Sequence, residues 1–153
     1  MYGSVSEADT YFSTYDFTGV WDSFSTSQKT AALNRATLMI DRLHFRGEKY
    51  QSDQDNAFPR IVYVNRRMVY FDENSDGEIV VPDRVKHAAY EQAKYMLSTQ
   101  TDQSLIKLRQ GITSISVGST SESYNTDLLP EDLETGICRE SQSLLENYLL
   151  VGW

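Results

Sequence analysis

Residues 82–98 read PDRVKHAAYEQAKYMLS and form the clearest helix pattern in the chain. Pro82 suits the first turn of a helix, where its missing N–H is no loss, and Asp83 suits the positive end of the helix dipole. The residues that then recur at helical spacing are Val85, Ala89, Gln92, Ala93 and Met96. Because positions 88, 89 and 93 are all alanine, we predict a helix here that a second helix can approach closely.

Three further helices are predicted on either side of this one. Ser4 with Glu7, and Ser25 with Gln28, have the spacing of helix-capping residues, and apolar side chains follow both pairs at helical spacing. These patterns predict a short helix up to about residue 15 and a longer one over about 27–44. A C-terminal helix, interrupted near Gly136, is predicted after Pro130.

The remaining apolar segments favour β structure. Residues 61–64 and 68–71, and then residues 79–81 beyond an Asp76-Gly77 turn, are rich in β-branched and aromatic residues and predict a small β-hairpin. Residues 112–124 predict one strand or an extended arm, over about 111–126, which should pair with another strand, for which a strand of a neighbouring subunit is a candidate. The candidate inter-subunit residues of this arm are Ile112, Ile115, Val117 and Tyr124. The expected fold is mainly α: a small helical bundle with a β-hairpin and an extended arm, in a single domain over 1–153.

Composition limits the classes of function. The chain of 153 residues has 22 acidic and 14 basic residues, a net charge of −8, which disfavours free-standing binding to nucleic acid. The nearest approach to a basic patch is Arg60 with Arg66 and Arg67, which is interpreted as a solvated strand surface. Cys138 is the only cysteine and is expected to be a buried thiol. No signal peptide or membrane-spanning stretch is evident, so a soluble protein is expected.

Catalytic signatures are scarce, and the chain is therefore predicted not to be an enzyme. His44 and His87 lack metal-ligand spacing, and no cofactor motif is present. The segment from Asp72 to Asp83 has the oxygen-ligand spacing of a calcium loop, but it follows strand-like residues and contains Asp76-Gly77, a common turn. A plain acidic turn is preferred, with a calcium site as the alternative.

The C-terminal segment, about 144–153, places apolar side chains at a chain end, where disorder is otherwise expected. Such residues either cover the protein's own core or dock into a partner. Docking is preferred, because aromatic anchors are common at interfaces. The candidate partner-binding residues are Tyr148, Leu149, Leu150, Val151 and Trp153.

Several short motifs, taken in order, resemble the head-to-tail connector or adaptor proteins of tailed bacteriophages, some of which carry the label DnaT-like single-stranded DNA-binding protein. The resemblance covers nearly the whole chain. It is carried by residues 6–12 (SEADTYF), Trp21, residues 32–37 (ALNRAT), Gly47, Gln54, residues 58–60 (FPR), residues 81–86 (VPDRVK), Ala88, Glu91, Ala93, residues 117–124 and residues 144–149.

The resemblance implies a structural adaptor of the virion neck, assembled in the host cytoplasm. It implies a dodecameric ring that joins the capsid portal to the tail and lines the DNA channel. The implied partners are the portal protein, neighbouring copies, a tail or stopper protein, and genomic double-stranded DNA that passes without tight binding. Two alternatives stay open: a single-stranded DNA-binding replication accessory protein, and a calcium-dependent interaction module.

Overall fold

The computed structural model describes residues 1–16, 18–71, 74, 76–99, 114–117, 120–123 and 136–150. Within these residues it contains four α-helices: α1 (Val5–Tyr15), α2 (Thr26–Ile40), α3 (Asp83–Thr99) and α4 (Arg139–Leu145). Short 3-10 helices occupy Trp21–Ser23 and Glu146–Tyr148. The predicted fold class, mainly α with a small β element, is confirmed.

The helices begin at the residues that the sequence indicates. The Ser4 hydroxyl accepts a hydrogen bond from the backbone N–H of Glu7, and Ser25 forms a reciprocal capping box with Gln28. Helix α2 ends at Ile40, earlier than predicted, because the chain turns at Asp41 into a loop. No helix in the described part of the chain is long and apolar enough to cross a membrane.

Helix α3 lies at the centre of the helical part and packs against both α2 and α4. Ala88, Ala89 and Ala93 are fully buried, which confirms that the small residues of this helix allow close approach. The buried Gln92 side chain accepts a hydrogen bond from the Cys138 N–H at 2.8 Å and donates one to the Gly136 carbonyl at 2.8 Å. This amide therefore fixes the start of α4 against α3.

The N-terminus is anchored to the same body. Tyr2 is buried; its N–H donates to the Thr37 hydroxyl at 3.0 Å, and its own hydroxyl bonds to Asp41 and accepts from the Phe58 N–H at 3.0 Å. Burial and the Asp41 hydrogen bond raise the pKa of Tyr2. Gly3 has a φ of +70°, and a Cβ there would overlap the Tyr90 hydroxyl. These contacts connect the first residues to the loop at the base of the sheet.

The main sheet is antiparallel, with the order β1 (Glu48–Lys49), β2 (Arg60–Val64) and β3 (Arg67–Tyr70). Strand β2 pairs with β3 over four residues, from Ile61 with Tyr70 to Val64 with Arg67. The predicted β-hairpin is therefore present. Phe58, in the loop before the hairpin, is buried beside Phe45 and Tyr148, with ring centroids 4.8 and 5.6 Å away.

The segment 112–124, for which a single strand was predicted, has a different structure. It contains two strands, β4 (Ser114–Val117) and β5 (Thr120–Ser123), which pair antiparallel with each other. In the described part of the predicted arm, each strand therefore has one of its two hydrogen-bonding edges paired within the chain itself. Ile115 and Val117 belong to β4, whereas Ile112 and Tyr124 lie outside the described residues. Pairing with a neighbouring subunit stays a prediction.

Candidate functional site

The β2–β3 hairpin ends in a two-residue turn, Asn65-Arg66, between the paired residues Val64 and Arg67. Both turn residues have positive φ, 51° and 63°, as expected for the type I′ turn that matches the twist of a hairpin. Asparagine tolerates this conformation, but arginine does so only at a conformational cost, and glycine is the usual residue. We call residues 63–69 the hairpin tip.

The hairpin tip is apolar and exposed on both faces of the ribbon. Side chains of cross-strand partners share a face, so Tyr63 and Met68 form one face, while Val64 and Val69 lie on the other. The exposed fractions of these side chains are 61% for Tyr63, 52% for Val64, 46% for Met68 and 41% for Val69. An exposed apolar cluster of this kind is typical of a binding surface, since an isolated exposed residue would need no explanation.

The hairpin tip also carries two exposed arginines, Arg66 in the turn and Arg67 at the start of β3. Arg60, which the sequence grouped with them, has a different role. Its guanidinium donates hydrogen bonds to the carbonyl oxygens of four residues, Phe45, Arg46, Gly47 and Ala57. Burial lowers the pKa of Arg60. Arg60 therefore holds the base of the hairpin.

The loop beneath the hairpin is held by specific polar contacts. The Gln54 amide nitrogen donates to the carbonyls of Asn56 and Pro59 at 2.9 and 3.0 Å, and its oxygen accepts from the Gln51 N–H at 3.0 Å. Gly47 has a φ of +73°, and a Cβ there would overlap the Ile61 carbonyl oxygen. The hairpin tip thus projects from a well-anchored base.

Charge is unevenly distributed along the chain. Residues 42–71, which contain the sheet, have six basic and three acidic residues, and the rest of the chain has eight basic and 19 acidic residues. The overall charge of −8 therefore does not describe the region around the hairpin. A count of charges over this segment would have indicated its basic character from sequence. Tyr63 and Met68 carry no charge, and their exposure is evident only from the fold.

The predicted C-terminal docking residues occupy three different positions. Tyr148 is buried, with its ring 5.0 Å from that of Phe71, and its carbonyl accepts from the Arg46 N–H at 2.8 Å. Leu149 forms an isolated antiparallel bridge with Phe45, and Leu150 is exposed. Val151 and Trp153 lie outside the described residues. The partner-binding role of the segment stays a prediction, but Tyr148 also belongs to the core.

The acidic turn that was compared with a calcium loop is stabilised by its own asparagine. The Asn74 side-chain oxygen accepts from the N–H groups of Asp76 and Glu78 at 3.0 and 2.8 Å. This is an Asx-type turn. Asp72, the first residue of the calcium-loop comparison, lies outside the described residues, so the plain acidic turn stays a prediction. Among the described residues, no group of three or more His, Cys, Asp or Glu side chains could hold a metal ion.

One ion pair from the first two helices is structural. Asp9 accepts hydrogen bonds from the Trp21 indole at 2.7 Å and from the largely buried Lys29 ammonium at 2.8 Å. Burial alone would raise the pKa of Asp9, but these two donors outweigh it and lower the pKa below its ordinary value. The ammonium also lies 5.1 Å from the centroid of the Trp21 ring. This cluster joins α1, α2 and the 3-10 helix between them.

The described fold is thus a small helical domain that presents a basic, apolar β-hairpin. Residues 1–149 match the sequence model of the family described as "Putative DnaT-like ssDNA binding protein". The chain belongs to this family. No curated protein and no solved structure matches the chain.

The family match corrects the assignment to the phage head-to-tail connectors, which is wrong. The expectations that depended on it are therefore withdrawn: a ring in the virion neck, a portal protein and a tail or stopper protein as partners, and double-stranded DNA passing through a channel. The error has a physical source. A net charge averaged over the whole chain concealed the basic segment 42–71, and the order of small helices is a weak indicator of function.

Proposed function

We propose that this protein binds single-stranded DNA through the hairpin tip, as an accessory protein without catalytic activity. The observation that carries the proposal is the exposed aromatic side chain of Tyr63 on a ribbon that has Arg66 in its turn and Arg67 at the start of β3. The description of the family to which the chain belongs supports it.

The chemistry of the hairpin tip suits an unpaired strand. An exposed aromatic ring stacks on any base, and stacking contributes about 1–3 kcal/mol per base. Arginines bind phosphate oxygens with charge-assisted hydrogen bonds. Because neither contact reads the edges of the bases, the binding should depend little on sequence. Duplex DNA keeps its bases stacked inside the helix and cannot offer them to Tyr63.

The acidic remainder of the chain restricts this binding to one region. Outside residues 42–71, acidic residues outnumber basic ones by 19 to eight, so this part of the chain has a net negative charge that opposes phosphate binding. Two arginines contacting single-stranded DNA give a slope of log Kobs against log salt of about −1.4. We therefore expect modest, salt-sensitive affinity that depends on the hairpin.

The aromatic contact is tested by comparing Tyr63→Ala with Tyr15→Ala. Both tyrosines are largely exposed, 61% and 65%, but Tyr15 lies at the end of α1 and not in the sheet. Binding is measured by the fluorescence anisotropy of a labelled oligothymidine at low salt. We expect Tyr63→Ala to weaken binding by about tenfold, from the lost stacking, and Tyr15→Ala to leave it unchanged. Equal effects of the two substitutions would contradict the proposed site.

The phosphate contacts are tested in the same assay with the double substitution Arg66→Gln and Arg67→Gln. Arg35→Gln, on the exposed face of α2, is the control and removes one positive charge from a helix. The double variant should bind weakly and lose the salt dependence, whereas the Arg35 variant should keep both. Unchanged binding by the double variant would show that DNA, if bound, contacts another surface.

A further inference from the structure

The hairpin tip has more apolar surface than a platform for single-stranded bases requires. Tyr63 and Met68 on one face would be enough for stacking, yet Val64 and Val69 are also exposed on the opposite face. The solvent face of an antiparallel sheet normally carries polar side chains. The valine face, defined by Val64 and Val69, therefore needs a partner.

The geometry of the sheet makes the hairpin tip a thin projection. Strand β1 pairs only with Arg60 and Ile61, so in the described sheet the part of the hairpin from Val62 to Val69 is two-stranded. From Ile61 to Val64 the ribbon extends about 10 Å, at about 3.3 Å per residue. A ribbon with two apolar faces and a charged turn has the form of a wedge.

We propose that the hairpin tip recognises the junction between single-stranded and double-stranded DNA. This inference rests on the single-strand binding proposed above and names its substrate class. At a junction, the last base pair presents one open π-face, and the next base is unpaired. Tyr63 would stack on the unpaired base, and the valine face would cover the terminal pair.

Charge and energetics favour this occupant over intact duplex. Arg67 shares the valine face and Arg66 lies in the turn between the two faces, so phosphates on either side of the wedge are within the reach of arginine side chains. Apolar wedges that enter a continuous duplex must first unstack a base step. At a junction the stack of bases is already interrupted. The apolar side chains can therefore make their contacts without the free-energy cost of unstacking a base step.

The experiment compares three DNA substrates of equal nucleotide number: a single strand, a duplex with a single-stranded overhang, and a blunt duplex. Anisotropy gives the ratio of affinities for overhang and single strand. We expect the full-length protein to bind the overhang about tenfold more tightly than the single strand, from the apolar contact that the valine face adds on the terminal pair, and the blunt duplex least. A ratio near one for the wild-type protein overturns the junction proposal and leaves single-strand binding intact.

The valine face is tested by Val64→Ser with Val69→Ser, and Leu38→Ser on the exposed face of α2 is the control. The double variant should keep its affinity for the single strand, which also shows that the hairpin is formed. Its ratio of affinities for overhang and single strand should fall to about one. The Leu38 variant should keep the wild-type ratio. If serine loosens the ribbon, Val64→Thr with Val69→Thr, which keeps β-branching, should still lower the ratio.

Three other outcomes are decisive. A double variant that retains the tenfold preference overturns the junction proposal and assigns the valine face to another contact, such as a protein. A wild-type protein that binds no single strand overturns both proposals. Blunt duplex bound as tightly as the overhang would overturn the junction proposal, because a junction would then not be needed.

Discussion

Arg66→Gly should stabilise the protein and weaken its binding to DNA. Arg66 has a φ of +63° in the hairpin turn, a conformation that costs a residue with a Cβ about 1–2 kcal/mol and glycine nothing. Glycine loses more entropy on folding, by about 0.4–1 kcal/mol, so the net gain is about 0.5 kcal/mol. For a domain of this size, Tm should rise by about 1–2 °C.

The loss of binding follows from the same substitution. Removing one phosphate contact lowers the salt slope for single-stranded DNA by about 0.7, which corresponds to roughly eightfold weaker binding at about 50 mM salt and about threefold at 200 mM. Calorimetry or thermal scanning gives the change in Tm, and anisotropy with oligothymidine at the two salt concentrations gives the change in affinity. If Arg66→Gly raises Tm and lowers the affinity for DNA, DNA binding would explain why arginine, and not glycine, occupies this turn position.

Arg67→Gly is the control, because it removes the same charge from an extended strand position. Glycine within a strand destabilises by about 0.5–1 kcal/mol, so here stability and affinity should both fall. A higher Tm for Arg66→Gly with the affinity and the salt slope at wild-type values would contradict the predicted role of Arg66. Arg66 would then make no phosphate contact.

Three further predictions concern the body that supports the hairpin. Arg60→Ala should lower the urea-unfolding free energy by about 2–4 kcal/mol, because four carbonyl oxygens lose a charged donor; a cost below 1 kcal/mol would contradict its structural role. Gly47→Ala should destabilise by about 2 kcal/mol or more, from its φ of +73° and the overlap with the Ile61 carbonyl, and an unchanged Tm would count against this loop geometry. The pKa of Asp9 is lowered in the folded state, so its contribution to stability is present above its ordinary value of 3.8 and is lost as the pH falls through the lower folded value. Urea unfolding between pH 5 and about pH 2 should therefore show a smaller loss of stability for Asp9→Asn than for the wild type, and identical curves would exclude the ion pair with Lys29 as a contributor.

The helices and the main hairpin could be predicted from sequence because their signals are local. The capping pair Ser25 and Gln28, the alanines of α3 and the β-branched residues of β2 each determine structure within a few neighbouring residues. The attachment of α4 could not be predicted in this way. It depends on Gln92, whose partners Gly136 and Cys138 are more than 40 residues away in the sequence.

The candidate site was missed for a related reason. Sequence grouped Arg60 with Arg66 and Arg67, but only the fold shows that the Arg60 guanidinium faces backbone carbonyls while the other two are exposed. Exposure of Tyr63 likewise depends on how far the ribbon extends past β1. The packing of the Tyr148 ring against Phe58 and Phe71 was likewise not evident from sequence, because these contacts join distant segments of the chain.

A titration of the ¹⁵N-labelled protein with unlabelled oligothymidine, followed by ¹⁵N–¹H correlation spectra at low salt, would locate the binding surface. We expect progressive, saturable shifts in the amides of residues 62–69, largest at Asn65, Arg66 and Arg67, with the amides of α1 and α2 unchanged. Shifts confined to the helices, or no shifts at an excess of DNA, would contradict single-strand binding through the hairpin tip.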